Sequence, residues 1–320
     1  MKRKVNRVGQ NTLTVSLPVR WVQKHEVNAG DELEIEEQGK NLVIVKEKAG
    51  KRIKRVALDL DNFNKMMLNR YIHEFYRQGA EEIVLNFTKD AIPDYKKGGS
   101  IAIDKRVRRL LERFIGMEIV SKTKKKIVLQ SLMTEEETGK IAVVQKRVYF
   151  LIKEFFDEFI SSMDDGFSAF HDKCYDYHDN IAKFLYYYLR LLHFSDILDE
   201  KKARLFGLFM VIDGVIDKAR HTSERINEMK TITPKVKKYV REIFVLFLEQ
   251  FDLIFKKNYS MDDLEALIKK RYNLVKRVNS EKFTGDGLIV MSECKVILDT
   301  INDFSETFVA LNVEKYVKEF

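Results

Sequence analysis

From residue 140 onward, apolar residues recur three and four apart in segment after segment, and Pro234 is the only proline among them. That spacing gives each segment one apolar helical stripe, which must be buried against another. Val144, Val148, Leu151, Ile152, Phe155, Phe156, Phe159 and Ile160 trace one stripe. Val236, Val240, Ile243, Phe244, Phe247, Leu248, Phe251, Ile254 and Phe255 trace another. The spacing predicts six helices, near 141–163, 171–194, 199–229, 234–257, 261–280 and 285–316. Long helices with short connections fold as antiparallel bundles.

The six helices read as two sets of three, and the third helix of each set carries the same figure. One copy is Val211-Ile212-Asp213-Gly214-Val215-Ile216-Asp217, the other Ile297-Leu298-Asp299-Thr300-Ile301-Asn302-Asp303. A figure repeated at the same place in each half outweighs either copy alone. Carboxylates four apart share a helix face and repel, and a cation would offset the repulsion. The alternative is a pair of surface acids held by neighbours such as Arg220 and Lys295. The repeat with Asp-x-x-x-Asp in each third helix resembles PhoU, the regulator of phosphate uptake. That resemblance implies two three-helix bundles that bind iron, zinc or magnesium ions through Asp213, Asp217, Asp299 and Asp303.

His171, Cys174 and His178 also share a helical face, as three zinc ligands with water in the open place or simply as a helix start. Phe184, Tyr186, Tyr187, Tyr188 and Phe194 read as core or as a base-stacking platform. No Walker loop, Gly-x-Ser-x-Gly or His-Glu-x-x-His occurs, so the expectation is a protein without catalytic residues.

Residues 51–135 predict a small α/β region in the order β-α-β-α-β-β. Strands fall at Ile53–Leu60, Glu82–Phe87, Met117–Ser121 and Lys126–Leu132, with helices over 62–78 and from Asp104, as cap, to Phe114. Residues 89–100, with Pro93 and Gly98-Gly99, read as a loop, and 49–56 as a basic linker. Lys105-Arg106-Val107-Arg108-Arg109 and Lys122-Thr123-Lys124-Lys125-Lys126 are basic clusters, either solvated faces or a second DNA-backbone contact.

The first 50 residues predict two short hairpins flanking one short helix. Val5, Leu13, Val15 and Leu17 alternate, Pro18 opens the helix, Ala29-Gly30-Asp31 turns the chain, and Leu33, Ile35, Leu42 and Ile44 form the second hairpin about Gln38-Gly39-Lys40. A unit of this size has too few apolar residues to close a core, and two interleaved copies would supply one. Arg7-x-Gly9, Thr12-Leu13-Thr14-Val15-Ser16-Leu17-Pro18, Trp21-Val22 and Gly30-Asp31 resemble the AbrB/SpoVT/MazE family of swapped-hairpin DNA-binding domains. The resemblance implies a homodimeric β-barrel that meets double-stranded DNA through Arg3, Lys4, Arg7, Asn11 and Arg20.

The net charge of +8 permits anionic partners without proving one. Two cysteines outside any paired motif, no apolar run long enough for a membrane span and no apolar segment after the first lysines suit a cytoplasmic protein. The expected fold is multidomain α+β: a swapped-hairpin barrel over 1–50, a mixed α/β domain over 51–135 and a PhoU-like pair of three-helix bundles over 140–320. This layout resembles archaeal PhoU-type phosphate uptake regulators. The expected function is a homodimeric, DNA-binding transcriptional regulator of phosphate homeostasis with a helical sensor body. The alternative is an adaptor whose bundle docks on a phosphate transporter or signalling kinase, the barrel serving only dimerisation.

Overall fold

The computed structural model describes residues 2–9, 11–38, 41–45, 55–133, 139–164, 167–195, 197–229, 232–255 and 260–313. The linker read over 49–56 lies outside them except for its last two residues, as do Gly39-Lys40 and the end of the last predicted helix. The chain divides into two compact units, Met1–Arg52 and Ile53–Phe320.

In the first unit, β1 (Val5–Val8) pairs antiparallel with β2 (Thr12–Val15), matching Val5 with Val15 and Arg7 with Leu13. Gly9 starts the turn with φ +71°, a backbone region that glycine enters without strain. Pro18 is the N-cap of α1 (Val19–Lys24), and its extended backbone leads the chain into the helix. The Asp31 carboxylate accepts from the Asn28 N–H at 2.9 Å, and Gly30 at φ +95° completes that turn. β3 (Glu34–Gln38) and β4 (Asn41–Val45) form the second hairpin. Within the single chain the hairpins remain separate two-stranded sheets, and no closed barrel forms among the described residues. Val5, Leu13, Ile35 and Leu42 are each more than 60% exposed, so these apolar rows have no cover in one copy.

In the second unit, β5 (Arg55–Asp59), β6 (Glu82–Asn86), β9 (Met117–Lys122) and β10 (Lys126–Ser131) form a sheet of order β5-β6-β10-β9, with β5 and β6 parallel and the other neighbours antiparallel. Its centre is apolar on both faces. Ile83 pairs with Leu129 and Leu85 with Ile127, while Val84 and Val128 point the other way, and all six are buried. α2 (Lys65–Arg77) follows β5 and is capped by Asn64, whose side chain accepts from Met66 and Met67 N–H.

Two sequence expectations fail here. Residues 89–100 are not simply a loop: β7 (Ala91–Pro93) and β8 (Ser100–Ala102) pair across them. Gly98 and Gly99, at φ +74° and +82°, let the chain return tightly, and Pro93 sits at a strand end where it breaks no ladder. Asp104 is not a cap either. α3 (Ile103–Leu111) starts one residue earlier behind Ala102, and the Asp104 side chain instead meets Arg108 and Lys122.

Six long helices follow: α4 (Ile141–Ser162), α5 (Phe167–Phe194), α6 (Asp199–Glu228), α7 (Pro234–Phe255), α8 (Met261–Ser280) and α9 (Gly285–Asn312). α5 packs on α4 and α6, α9 on α7 and α8, and α6 and α9 pack on each other. None is long and apolar enough to cross a membrane. Phe155, Phe156, Phe159, Phe244, Phe247 and Phe251 are wholly buried, and Phe156 lies 4.7 Å from Phe247 between ring centres. Tyr186, Tyr187 and Tyr188 are buried as well, which makes the tyrosine run core rather than a stacking platform.

The sheet layer and the helices share one apolar core, and α2 lies on α5. Buried Arg190 of α5 fixes the join. It donates to the Tyr76 carbonyl at 2.9 Å and the Ala80 carbonyl at 3.1 Å, at the end of α2, and to Ser131 Oγ at 3.0 Å, at the end of β10. Its guanidinium also lies over the Tyr76 ring. Gly79 ends α2 at φ +82° against the Phe194 ring, where a Cβ would collide with that ring. Replacing Arg190 with Met strips donors from buried carbonyls, at a cost of about 3 kcal/mol. Urea unfolding should show that loss, with Arg190→Lys intermediate; an unshifted midpoint would show that the join does not depend on Arg190.

Candidate nucleic-acid interface and a carboxylate–histidine cluster

In the N-terminal unit, Arg3, Lys4, Arg7, Asn11 and Arg20 are all exposed. Arg7 lies within β1 opposite Leu13, Asn11 at the β1–β2 turn, Arg3 and Lys4 just before β1, and Arg20 in the first turn of α1. Among the described residues no carboxylate pairs with any of the four cations. Their charge is therefore open to an external anion.

The four acids of the helical repeat part company. Asp213 and Asp217 on α6 enter a network with α5 and α2. His178, buried on α5, approaches Asp217 through Nε2 at 2.8 Å and Asp179 through Nδ1 at 3.1 Å. Asp179 in turn pairs with Arg113. Arg220 reaches Asp217 at 3.5 Å and Glu224 at 2.6 Å. Tyr186 donates to Asp213 at 3.4 Å, and Arg77 of α2 lies over the Tyr186 ring. The equivalent pair on α9 has no such surroundings. Asp299 is 77% exposed with Arg271 at 3.7 Å, and Asp303 is exposed.

Each titration in the network has a physical cause. Burial, reinforced by the neighbouring Asp217 charge, pushes Asp213 up to about 6. Burial also opposes ionisation of Asp217, but His178 and Arg220 outweigh it and hold its pKa at about 2. For His178, burial works against the imidazolium, yet the Asp179 and Asp217 carboxylates raise its pKa. Burial and the charges of Arg77, Arg113 and Arg106 drive His73 down to about 3, a neutral ring against Phe114 and Tyr186.

His171, Cys174 and His178 share a helical face but do not converge. His171 meets Ser223 at 3.3 Å, His178 meets the carboxylates, and Cys174 is a buried thiol that burial pushes up to about 11. Among the described residues no group of three or more His, Cys, Asp and Glu side chains is placed to hold a metal ion. Sequence reasoning missed His73, Arg77 and Arg113. The available signal was His73 and Arg77 four apart, beside the apolar positions Ile72 and Tyr76 of α2.

Asp213 keeps its proton in the folded chain up to about pH 6, whereas the unfolded carboxyl ionises near 3.8. Between these values the folded state holds the extra proton, so stability falls as pH rises, and the penalty is constant above them. Asp217 acts oppositely at lower pH, adding stability as pH rises from about 2 toward 4. Asp213→Asn should therefore abolish a fall of about 2 kcal/mol between pH 4 and 7. Denaturation curves of parent and variant that stay parallel across that range would contradict the assignment.

Residues 7–52 match the family described as Antidote-toxin recognition MazE, bacterial antitoxin. No curated protein and no solved structure matches the chain. The matched stretch spans both hairpins and α1, and the N-terminal unit is thus a MazE/AbrB-type, antitoxin-like domain.

Proposed function

We propose that the protein is a DNA-binding transcriptional regulator that acts as a homodimer, with the helical body as its sensor. The observation that carries this reading is the pairing of two features in one MazE/AbrB-type unit: unpartnered cations and uncovered apolar rows. A second copy would cover the rows and double the cations, and lysine and arginine side chains hold DNA phosphates. The regulated process in this reading is phosphate uptake, on the likeness of the two three-helix sets to PhoU. It assigns the chain no catalytic step.

Metal ions enter the reading at Asp299 and Asp303. Their exposed carboxylates, one turn apart on α9, leave oxygens open to a hard cation. Asp213 and Asp217 fit a cation poorly, because His178, Arg77 and Arg220 already supply positive charge there. Calorimetric titration with magnesium, zinc or ferrous ions should give heat in the parent and none in Asp299→Asn/Asp303→Asn. A parent that takes up none of the three removes the metal from the account.

One observation favours an adaptor as the second reading. A groove of about 1050 Å³ opens between α4, α7 and α8, lined by Tyr149, Phe150, Asp252 and Leu253 among others, and would accept a segment of a transporter or kinase.

Fluorescence anisotropy on the chain's own upstream DNA and on scrambled DNA separates the readings. The regulator binds its upstream DNA more tightly. Arg7→Ala should weaken that binding by about 1 to 3 kcal/mol if Arg7 reads a base, and more evenly across sequences if it holds a phosphate. Absence of binding by an intact parent would overturn the regulator in favour of the adaptor.

A further inference from the structure

A second basic surface lies in the α/β layer, at the end of the sheet where β5 and β6 finish and α2 and α3 begin. Four contacts tie its loops into one face. The Phe87 N–H donates to the Lys125 carbonyl at 3.0 Å, which joins the end of β6 to the β9–β10 turn. The Ile103 N–H donates to the Asp90 carbonyl at 2.9 Å, which brings the start of α3 to the same loop. Lys122 meets Asp104 at 2.5 Å, and Lys65 at the start of α2 meets Asp94 on the β7–β8 hairpin at 2.6 Å.

The charge on this face does not balance. Asp94 is paired with Lys65 and Asp104 with Lys122 and Arg108, Asp61 accepts from the Thr88 N–H and hydroxyl, and Asp59 and Asp90 are exposed carboxylates on the same face, so the lysines still outnumber the acids. Lys89, Lys96, Lys97, Lys105, Lys124 and Lys125 are exposed and have no carboxylate partner among the described residues. Two turns, at the tip of β7–β8 and between β9 and β10, carry four of these lysines as adjacent pairs.

We infer that this face grips the sugar–phosphate backbone of double-stranded DNA, as a second contact separate from the N-terminal unit. Lysines are flexible point charges that suit phosphates and read no base, so the contact is sequence-independent. The inference builds on the DNA-binding reading above, but the two can fail separately.

The test is anisotropy of the full chain on a duplex of scrambled sequence over a range of salt concentrations. Three proteins are compared: the parent, a lysine variant (Lys96→Gln, Lys97→Gln, Lys124→Gln, Lys125→Gln) and a head variant (Arg3→Ala, Arg7→Ala, Arg20→Ala). Each phosphate contact contributes about 0.9 to the slope of log affinity on log salt. The lysine variant should lose about 2 to 3 from that slope, with affinity at least tenfold lower at low salt. All four substitutions are at exposed turns, and an unchanged unfolding midpoint confirms that the fold is intact.

A lysine variant with the parent's slope, alongside a weakened head variant, overturns the second contact and leaves the DNA reading standing. A weakened lysine variant beside an unchanged head variant supports the second contact and removes the head residues from the DNA reading. A parent that binds no duplex but does bind vesicles of phosphatidylglycerol overturns both.

Discussion

The structure beyond residue 53 depends on one buried cation. Arg190 takes three hydrogen bonds to groups that belong to the sheet layer: two carbonyls at the end of α2 and a hydroxyl at the end of β10. A guanidinium has five donors in a fixed fork, so it can satisfy several acceptors where an amide or ammonium would leave some unmet. Around that fork the apolar surfaces of sheet and helices close into one core, with Phe194 pressed on Gly79. The join also sets the fate of the acids. Because α2 lies on α5, Arg77 and His73 are brought to the face where α6 presents Asp213, and that carboxylate becomes half-buried among them.

The N-terminal unit obeys the opposite constraint. It has hairpins, turns and a short helix, but α1 buries no residue and the hairpin apolar rows face outward. A two-stranded hairpin is marginal alone, and two hairpins with uncovered faces are an incomplete fold. The same incompleteness makes the unit useful, since a second copy would complete the core and set two groups of cations on one assembly.

Much of this was legible in the sequence where the signal was local and long. Helices of twenty to thirty residues repeat their apolar period many times, and the predicted and observed helix limits differ by only a few residues. β7 and β8 hold three residues each, too few for a period to register, and only Gly98-Gly99 hinted at the return. The Asp-x-x-x-Asp figure was visible twice, but not the difference between its copies. Asp217 meets His178 from thirty-nine positions away, while among the described residues Asp299 is met by Arg271 at 3.7 Å. That difference comes from what the facing helix carries, His178 on α5 for one copy and Arg271 on α8 for the other, a long-range fact that spacing along one helix cannot carry. His171, Cys174 and His178 taught the same lesson: a shared helical face says which way side chains point, and packing decides what they meet.

In the proposed homodimer a second copy finishes the N-terminal unit by covering Val5, Leu13, Ile35 and Leu42. Sedimentation equilibrium of the full chain at micromolar concentration distinguishes dimer from monomer, run beside Leu13→Lys, which places a charge in the middle of an uncovered apolar row. The parent should sediment at twice the monomer mass and the variant should shift toward monomer, with the helical signal unchanged in both. A folded parent that sediments as a monomer would contradict it.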